Sequence, residues 1–344
     1  MGRVVLVTGV GRDLGGRFAR RVALDPTVDK VIGVDVVPPP ADLGAVRFVR
    51  ADIRHAVLAH VLSSEEVDTV VHLGVIATPT SVGGRTSMKE INVIGTMQLL
   101  AACQQSAGVQ ALVVKSSSKV YGSSPKDPAM FAEDMTPRRT PRAGFAKDSV
   151  EVEGYVRGFA RRRPDVRVTM LRCANLVGPL TQTTMTQYLE LPVVPTVLGF
   201  DPRVQFCHEE DALDALNHAT LAGVHGTFNV AGDHVLTLAQ AIRRLGRPHI
   251  GVPSIFLGAL GSVIPLLRRA NLSAEQVAFL SYGRGLDTTA MRQTLGFEPK
   301  FTTPEAFEDF ARRSRPGAMQ PERVAELERQ VADVVAKVRG YGQQ

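Results

Sequence analysis

Long apolar runs, clustered cysteines and interleaved aromatic and basic residues are all scarce in this 344-residue chain. The one membrane-like stretch, IFLGALGSVIPLL over 255–267, is too short to span a bilayer and contains Pro265. A buried or partly exposed amphipathic helix is expected there, with peripheral membrane contact as the other reading. Three cysteines, Cys103, Cys173 and Cys207, lie far apart and share no metal-ligand spacing, so they read as small core residues of a reduced compartment, with no metal centre. No charged and apolar leader precedes the first apolar run, which predicts a cytoplasmic protein. Internal repeats and low-complexity segments are missing. Aromatic residues make up 6% of the chain, and although the formal charge is +6, the arginines are scattered or, at 161–163, fit a solvated helix end. That excludes a nucleic-acid stripe and leaves the mild positive excess to suit an anionic small molecule.

What is present starts at Arg3 and runs to Gly16, RVVLVTGVGRDLGG. A β-branched apolar run (Val4 to Val7) meets Thr8 and Gly9, and apolar positions resume at helical spacing from Leu14 to Ala23. This predicts strand, glycine turn and helix. Such a turn brings bare backbone N–H groups and a helix N-terminus to a pyrophosphate. The spacing Gly9-x-Gly11-x-x-x-Gly15 departs from the common G-x-G-x-x-G, and an ordinary strand-to-helix turn is the competing reading. A second strand, Val31 to Val34, ends in Asp35 at the interval expected for an acid that hydrogen-bonds an adenosine ribose. Asp35 favours NAD over NADP; Arg12, able to pair with an extra phosphate, points the other way.

Further strands are predicted at Val46 to Val49, Val67 to Leu73, Gln110 to Ser116, Val166 to Leu171 and Gly226 to Val230, with a helix from Asn92 to Cys103. Their alternation with helices argues for an α/β protein with a doubly wound parallel sheet, the Rossmann arrangement. The expected organisation is a dinucleotide-binding domain over 1–180 completed by roughly 204–232, an interleaved substrate lobe over 181–316, and an amphipathic terminal helix over 317–344. Asp52 followed by Ile53 could hold an adenine amino group and pack on the ring, while Leu73 and Gly74 close a strand at the carboxyl end where ligands of parallel sheets sit. Asp211 is expected to cap the helix that begins at Ala212.

With these segments in order, the chain resembles the extended short-chain dehydrogenase/reductase family, and within it the NAD-dependent nucleotide-sugar epimerases and dehydratases. The resemblance extends to about residue 310. It rests on Thr8-Gly9 with its turn, Asp35, Asp52-Ile53, His72-Leu73, Asn92-Val93-x-Gly95-Thr96 and Ser116-Ser117-Ser118-Lys119-Val120-Tyr121-Gly122. It continues through Leu171-Arg172-x-x-Asn175-x-x-Gly178-Pro179, the 205–211 segment QFCHEED, Asn229-Val230 and Asp287-Thr288-Thr289.

The resemblance implies a Ser, a Tyr and a Lys as catalytic set, the Tyr taking a substrate hydroxyl proton while hydride passes to the nicotinamide. Carried over by position, the Ser is Ser117 and the Lys is Lys147, while Ala143 stands where the family has Tyr. A methyl group cannot transfer a proton. The resemblance also implies a cofactor set of Gly9, Gly11, Arg12, Leu14, Gly15, Asp35, Asp52, Ile53, Leu73, Gly74, Asn92 and Lys147. Substrate contacts would come from Ser117, Ser118, Tyr121, Asn175 and Arg203, with packing as the other role for Tyr121. A homodimer is implied through the helix of residues 92–103 and the helix after Lys147, using Met97, Leu99, Leu100, Val150, Val152 and Val156. Two functions follow: an NAD-dependent oxidoreductase or epimerase of a nucleotide sugar that has replaced its Tyr, or a dinucleotide-binding sensor or scaffold without turnover.

Overall fold

Apolar, β-branched stretches with helices between them have one economical arrangement, a parallel sheet covered on both faces. The computed structural model describes residues 2–77, 83–257 and 272–314. Its strands are β1 (Arg3–Thr8), β2 (Val28–Asp35), β3 (Arg47–Arg50), β4 (Thr69–His72), β5 (Ala111–Ser117), β6 (Arg167–Cys173), β7 (Asn175–Val177), β8 (Val194–Val197), β9 (Arg203–Val204), β10 (Phe206–His208), β11 (Gly226–Val230), β12 (Leu236–Thr237) and β13 (His249–Val252). The helices are α1 (Asp13–Val22), α2 (Val57–Ser64), α3 (Arg85–Lys89), α4 (Thr96–Gln105), α5 (Gly144–Arg162), α6 (Thr184–Leu189), α7 (Glu209–Ala222), α8 (Leu238–Arg244), α9 (Ala274–Tyr282) and α10 (Thr303–Arg313).

Seven strands form the central sheet in the order β11-β6-β5-β4-β1-β2-β3, every pair parallel. The strand order reverses between β1 and β4, which opens a crevice at their carboxyl ends. One face is filled by α1 and α7 through Phe18, Val22, Leu213 and Leu216. The opposite face is filled by α2, α4 and α5 through Leu58, Leu99, Val152 and Phe159. A separate core, with Tyr188, Phe206, Ile242 and Phe307, gathers the small sheets β7–β10, β9–β12 and β8–β13 with α6, α8, α9 and α10.

Three local expectations change. The helix expected from Asn92 opens as a π-helical turn over Glu90–Gly95 and becomes α-helical at Thr96. Asp211 does not cap α7; His208 does, its side chain accepting from the Glu210 N–H, while Asp211 accepts from the amides of Lys300 (2.7 Å) and Phe301 (3.1 Å). Of the six residues proposed for a dimer face, Leu99, Leu100, Val152 and Val156 are buried in this subunit's own core, where sheet packing claims the same helical stripe. The terminal helix of 317–344 and most of the apolar 255–267 stretch lie outside the described residues. No described helix is long and apolar enough to cross a membrane.

Candidate functional site

The glycine turn works by close approach. Gly9 has φ +84°, and a Cβ there would meet the Gly74 backbone at 2.9 Å; a Cβ on Gly15 would overlap the Gly9 carbonyl oxygen. The first turn of α1 therefore packs directly on the turn, and no side chain caps its N-terminus. Asp35 reaches back from the end of β2, its carboxylate accepting from the Gly11 N–H (3.0 Å) and the Val37 N–H (3.1 Å).

On the other side of the crevice, His72 fixes the end of β4. Its Nδ1 lies 2.7 Å from Thr8 Oγ1 and its Nε2 lies 2.9 Å from Thr96 Oγ1. Because the Thr96 hydroxyl donates to the Asn92 carbonyl, Nε2 must carry the proton and donate to Thr96, leaving Nδ1 to accept from Thr8. Burial keeps this ring neutral, pushing its pKa down to about 4. The Thr8 hydroxyl also accepts from the Gly74 N–H (3.3 Å), which holds Gly74 against Gly9.

These parts enclose a cavity of about 500 Å³ lined by Gly9, Gly11, Arg12, Asp35, Asp52, Ile53 and Gly74, with Ile76 and Ile91 as further apolar wall. An adenosine half fits such a space: flat apolar sides for the ring, a carboxylate beside the glycine turn for ribose hydroxyls, and helix N-terminal amides for phosphate. Arg12 is also there, its pKa lowered by burial and partly restored by Asp35. Asp52 accepts three bonds from the Arg54 side chain, so its carboxylate is shared with that guanidinium. Leu14 and Leu73 belong to the core beneath the turn. Asn92 is fully buried, bonds the Ile76 backbone in both directions (2.6 and 2.8 Å) and donates to Asp148 (3.3 Å). It shapes the cavity wall through Ile76 and does not line it.

A second cavity, of about 470 Å³, opens where α5 begins. Ala143 precedes the first residue of α5 and lines it with Gly144 and Phe145. Its other walls carry Arg85, Lys119, Arg139, Arg142 and Arg284 against a single carboxylate, Glu275. Arg85 is neutralised by buried Asp148 through two bonds of 2.5–2.6 Å. Arg284 donates only to neutral groups, the Gly122 carbonyl and Ser123 Oγ, and burial lowers its pKa to about 10. Lys119 keeps some surface toward the cavity, with Nζ 3.5 Å from Thr184 Oγ1 and 5.4 Å from the Phe145 ring centroid. Burial, with Arg284 and Lys115 adding repulsion, brings its pKa down to about 8. Arg203 lines a third cavity of about 360 Å³ that shares Arg284 with the second.

The remaining expected site residues are placed elsewhere. Ser117, at the end of β5, accepts from the Lys119 N–H (3.3 Å) and lines neither main cavity; Ser118 and Asn175 do not line them either. Lys147 pairs with Glu151 one turn on at 3.6 Å. Tyr121 is 1% exposed, and packing, not substrate contact, is its place here. Its hydroxyl donates to Asn229 (2.8 Å) and accepts from Arg172 (2.7 Å), while its ring stacks on Phe131. Arg172 is itself paired with buried Glu153, which also accepts from Ser116, so one network anchors the turn that carries Lys119. Arg284 is the cavity residue that motif reading passed over, while Lys119 stood within the quoted serine motif without being assigned to the site. The one available signal was a lysine inside the serine-rich end of a buried strand. Among the described residues no cluster of His, Cys, Asp or Glu could hold a metal ion.

A sequence model of the NAD dependent epimerase/dehydratase family matches residues 5–231. An uncharacterised protein of Mycobacterium tuberculosis is 50% identical over 335 residues, covering 95% of this chain and 88% of that protein. The dTDP-glucose 4,6-dehydratase of Streptomyces niveus is 26% identical over 319 residues, 86% of this chain and 88% of the enzyme. Among solved structures, UDP-glucose 4-epimerase of Thermotoga maritima with UDP-glucose superposes with a TM-score of 0.68 at 19% identity, covering 90% of this chain and 98% of that one. UDP-glucuronic acid 4-epimerase of Bacillus cereus, bound to UDP-glucuronic acid and NAD, reaches 0.69 at 16% identity with the same coverage.

Proposed function

Since the chain belongs to the NAD-dependent epimerase/dehydratase family, we propose that it holds NAD in the cavity of the glycine turn and acts on a nucleotide-activated sugar in the cavity beside Ala143. The observation that carries this reading is the second cavity's unbalanced charge: among the described residues Lys119, Arg139, Arg142 and Arg284 line it with one carboxylate, and Arg284 hydrogen-bonds only to neutral groups, Asp127 acting on it through space alone. A nucleoside diphosphate supplies the missing negative charge, with Arg284 and Arg203 on adjoining walls to pair with it. The nicotinamide, when bound, exchanges a hydride with a sugar carbon. The protein's residues bind and orient: Asp35 takes the ribose, Gly11 and the start of α1 the pyrophosphate, and the basic walls the sugar nucleotide.

Asp35 favours NAD over NADP, since its carboxylate repels a 2′-phosphate. Calorimetric titration with each dinucleotide tests this, and tighter NADP binding would overturn the NAD assignment. Mixing the NAD-loaded protein with UDP-glucose, UDP-glucuronic acid or dTDP-glucose and following absorbance of the reduced nicotinamide tests the chemistry.

One observation favours a second reading, a binding protein without turnover. Ala143, before the first turn of α5, puts a methyl group in the cavity at the position to which the family resemblance carries a Tyr. Installing the phenol decides between them: Ala143→Tyr should create hydride transfer from an inactive protein, whereas native transfer ends the sensor reading. The reading includes a cytoplasmic homodimer, for which Ile94 in the π-helical turn, Met97 on α4 and Tyr155 on α5, 37–42% exposed, are the available apolar residues.

A further inference from the structure

Ala143, Gly144 and Phe145 line the second cavity together with the amine of Lys119, whose Nζ lies 5.4 Å from the Phe145 ring centroid. Lys119 is held by its own backbone: it sits in the short helical turn Ser118–Tyr121, capped by the Ser117 side chain, directly after β5. The Arg172, Glu153 and Tyr121 network beneath gives that turn a single position. Its Nζ lies between Thr184 Oγ1 and the Phe145 ring, and no carboxylate bonds it among the described residues. An ordinary lysine on a protein surface is a permanent cation; one enclosed here with no counter-ion is available as a neutral base.

We propose that the Lys119 amine is the proton acceptor and donor of this site, taking the part that the tyrosine has in the family. The inference rests on the hydride-transfer reading above. In the oxidation half, the nitrogen lone pair of Lys119 takes the proton of the substrate hydroxyl. The O–H electron pair becomes the second C–O bond, and the hydrogen on that carbon leaves with its electron pair to the oxidised nicotinamide. Substrate alcohol becomes ketone, dinucleotide is reduced, and the neutral amine becomes an ammonium; the reverse returns the proton. Burial supports this, since a pKa lowered to about 8 makes a sizeable share of the amine neutral near physiological pH. The charged groups around it are Lys115 on β5, the strand that precedes its turn, Arg284 after α9, Arg85 on α3 with its partner Asp148, Arg139 and Arg142 before α5, and Glu275 on α9. Cations dominate this set, which opposes protonation of the amine.

The test combines a readout of the residue with one of the reaction. Competitive acylation of all lysines across pH 6–11, read by mass spectrometry, should show Lys119 titrating near pH 8 and shielded by UDP-glucose. Titration above pH 10, like the surface lysines, would overturn the assignment. Reduction of bound NAD by UDP-glucose, UDP-glucuronic acid or dTDP-glucose should rise with pH through about 8 in the native protein. It should fall roughly a hundredfold or more in Lys119→Met, whose affinity for NAD, held in the other cavity, stays within about threefold of native. Lys119→Met/Ala143→Tyr should recover part of the rate with a different pH profile. If Lys119→Met keeps the native rate, the lysine is not the base although the function stands. A native protein that binds NAD yet reduces none with any of the three sugars overturns the function itself, and this inference with it.

Discussion

Around the glycine turn, backbone shape does the recognising; around Ala143, side-chain charge does. The first cavity depends on how closely Gly9, Gly15 and Gly74 approach one another, and its strand-terminal carboxylate, Asp35, is held by the Gly11 and Val37 amides. The second depends on cations that the fold leaves without carboxylates, Lys119 and Arg284 above all. A site of the first kind tolerates little change and serves one ligand shape. A site of the second kind can change its chemistry by substituting a side chain.

The largest effect is expected beneath the second cavity. Glu153→Ala leaves Arg172 buried without its carboxylate and releases Ser116, which should cost about 3–5 kcal/mol in unfolding free energy. Urea denaturation of the variant measures it, and a loss under about 1 kcal/mol would show that the network does not hold the Lys119 turn.

Acid should strike the first cavity instead. His72 is neutral in the fold with its pKa lowered from 6.5 to about 4, so the unfolded chain binds the proton first. Its contribution is fully present above pH 6.5 and is lost as pH falls through about 4, some 3 kcal/mol in all. Comparing urea midpoints at pH 7 and pH 4.5, His72→Asn should lose less stability between the two than the native protein does. The alkaline-side titration assigned to Lys119 lies in the other cavity, so the two regions should answer pH in separate windows.

A smaller effect sharpens the contrast between the cavities. Asp35→Ala removes the carboxylate proposed as ribose acceptor and should weaken NAD binding by about 1.5–3 kcal/mol while leaving UDP binding unchanged. Calorimetry with both ligands reads it; equal losses for NAD and UDP would mean that the cavities are not independent.

Much of the first region was legible because local pattern and tertiary role coincide there. An apolar run, a glycine cluster and a strand-terminal acid each have one use, and Gly9, Gly11, Asp35, Ile53 and Gly74 all line the same space. The strand at Gly226–Val230 matches its expected bounds because its apolar residues sit beside Gly226 and a preceding turn. The exceptions share one cause. Asn92, Tyr121 and Asp211 are polar residues in motifs, and a motif shows that a polar group has a partner without showing which one. Here the partners are the Ile76 backbone, Asn229 with Arg172, and the Lys300 and Phe301 amides. Likewise the apolar stripe of α4 and α5 suited a subunit interface or the sheet, and the sheet took Leu99, Leu100, Val152 and Val156.

By itself the sequence determined the α/β class, the parallel sheet and the glycine turn, because these depend on periodicities of two and 3.6 residues and on backbone freedom that only glycine has, while the family was legible as a resemblance in the order of its motifs. Tertiary structure alone decided which charges meet. Lys119, Arg139, Arg142, Glu275 and Arg284 come from segments up to 165 positions apart, and only folding places them around one cavity. Electrostatics depends on distance in space and on the water excluded between groups, and neither is encoded in any local stretch of the chain.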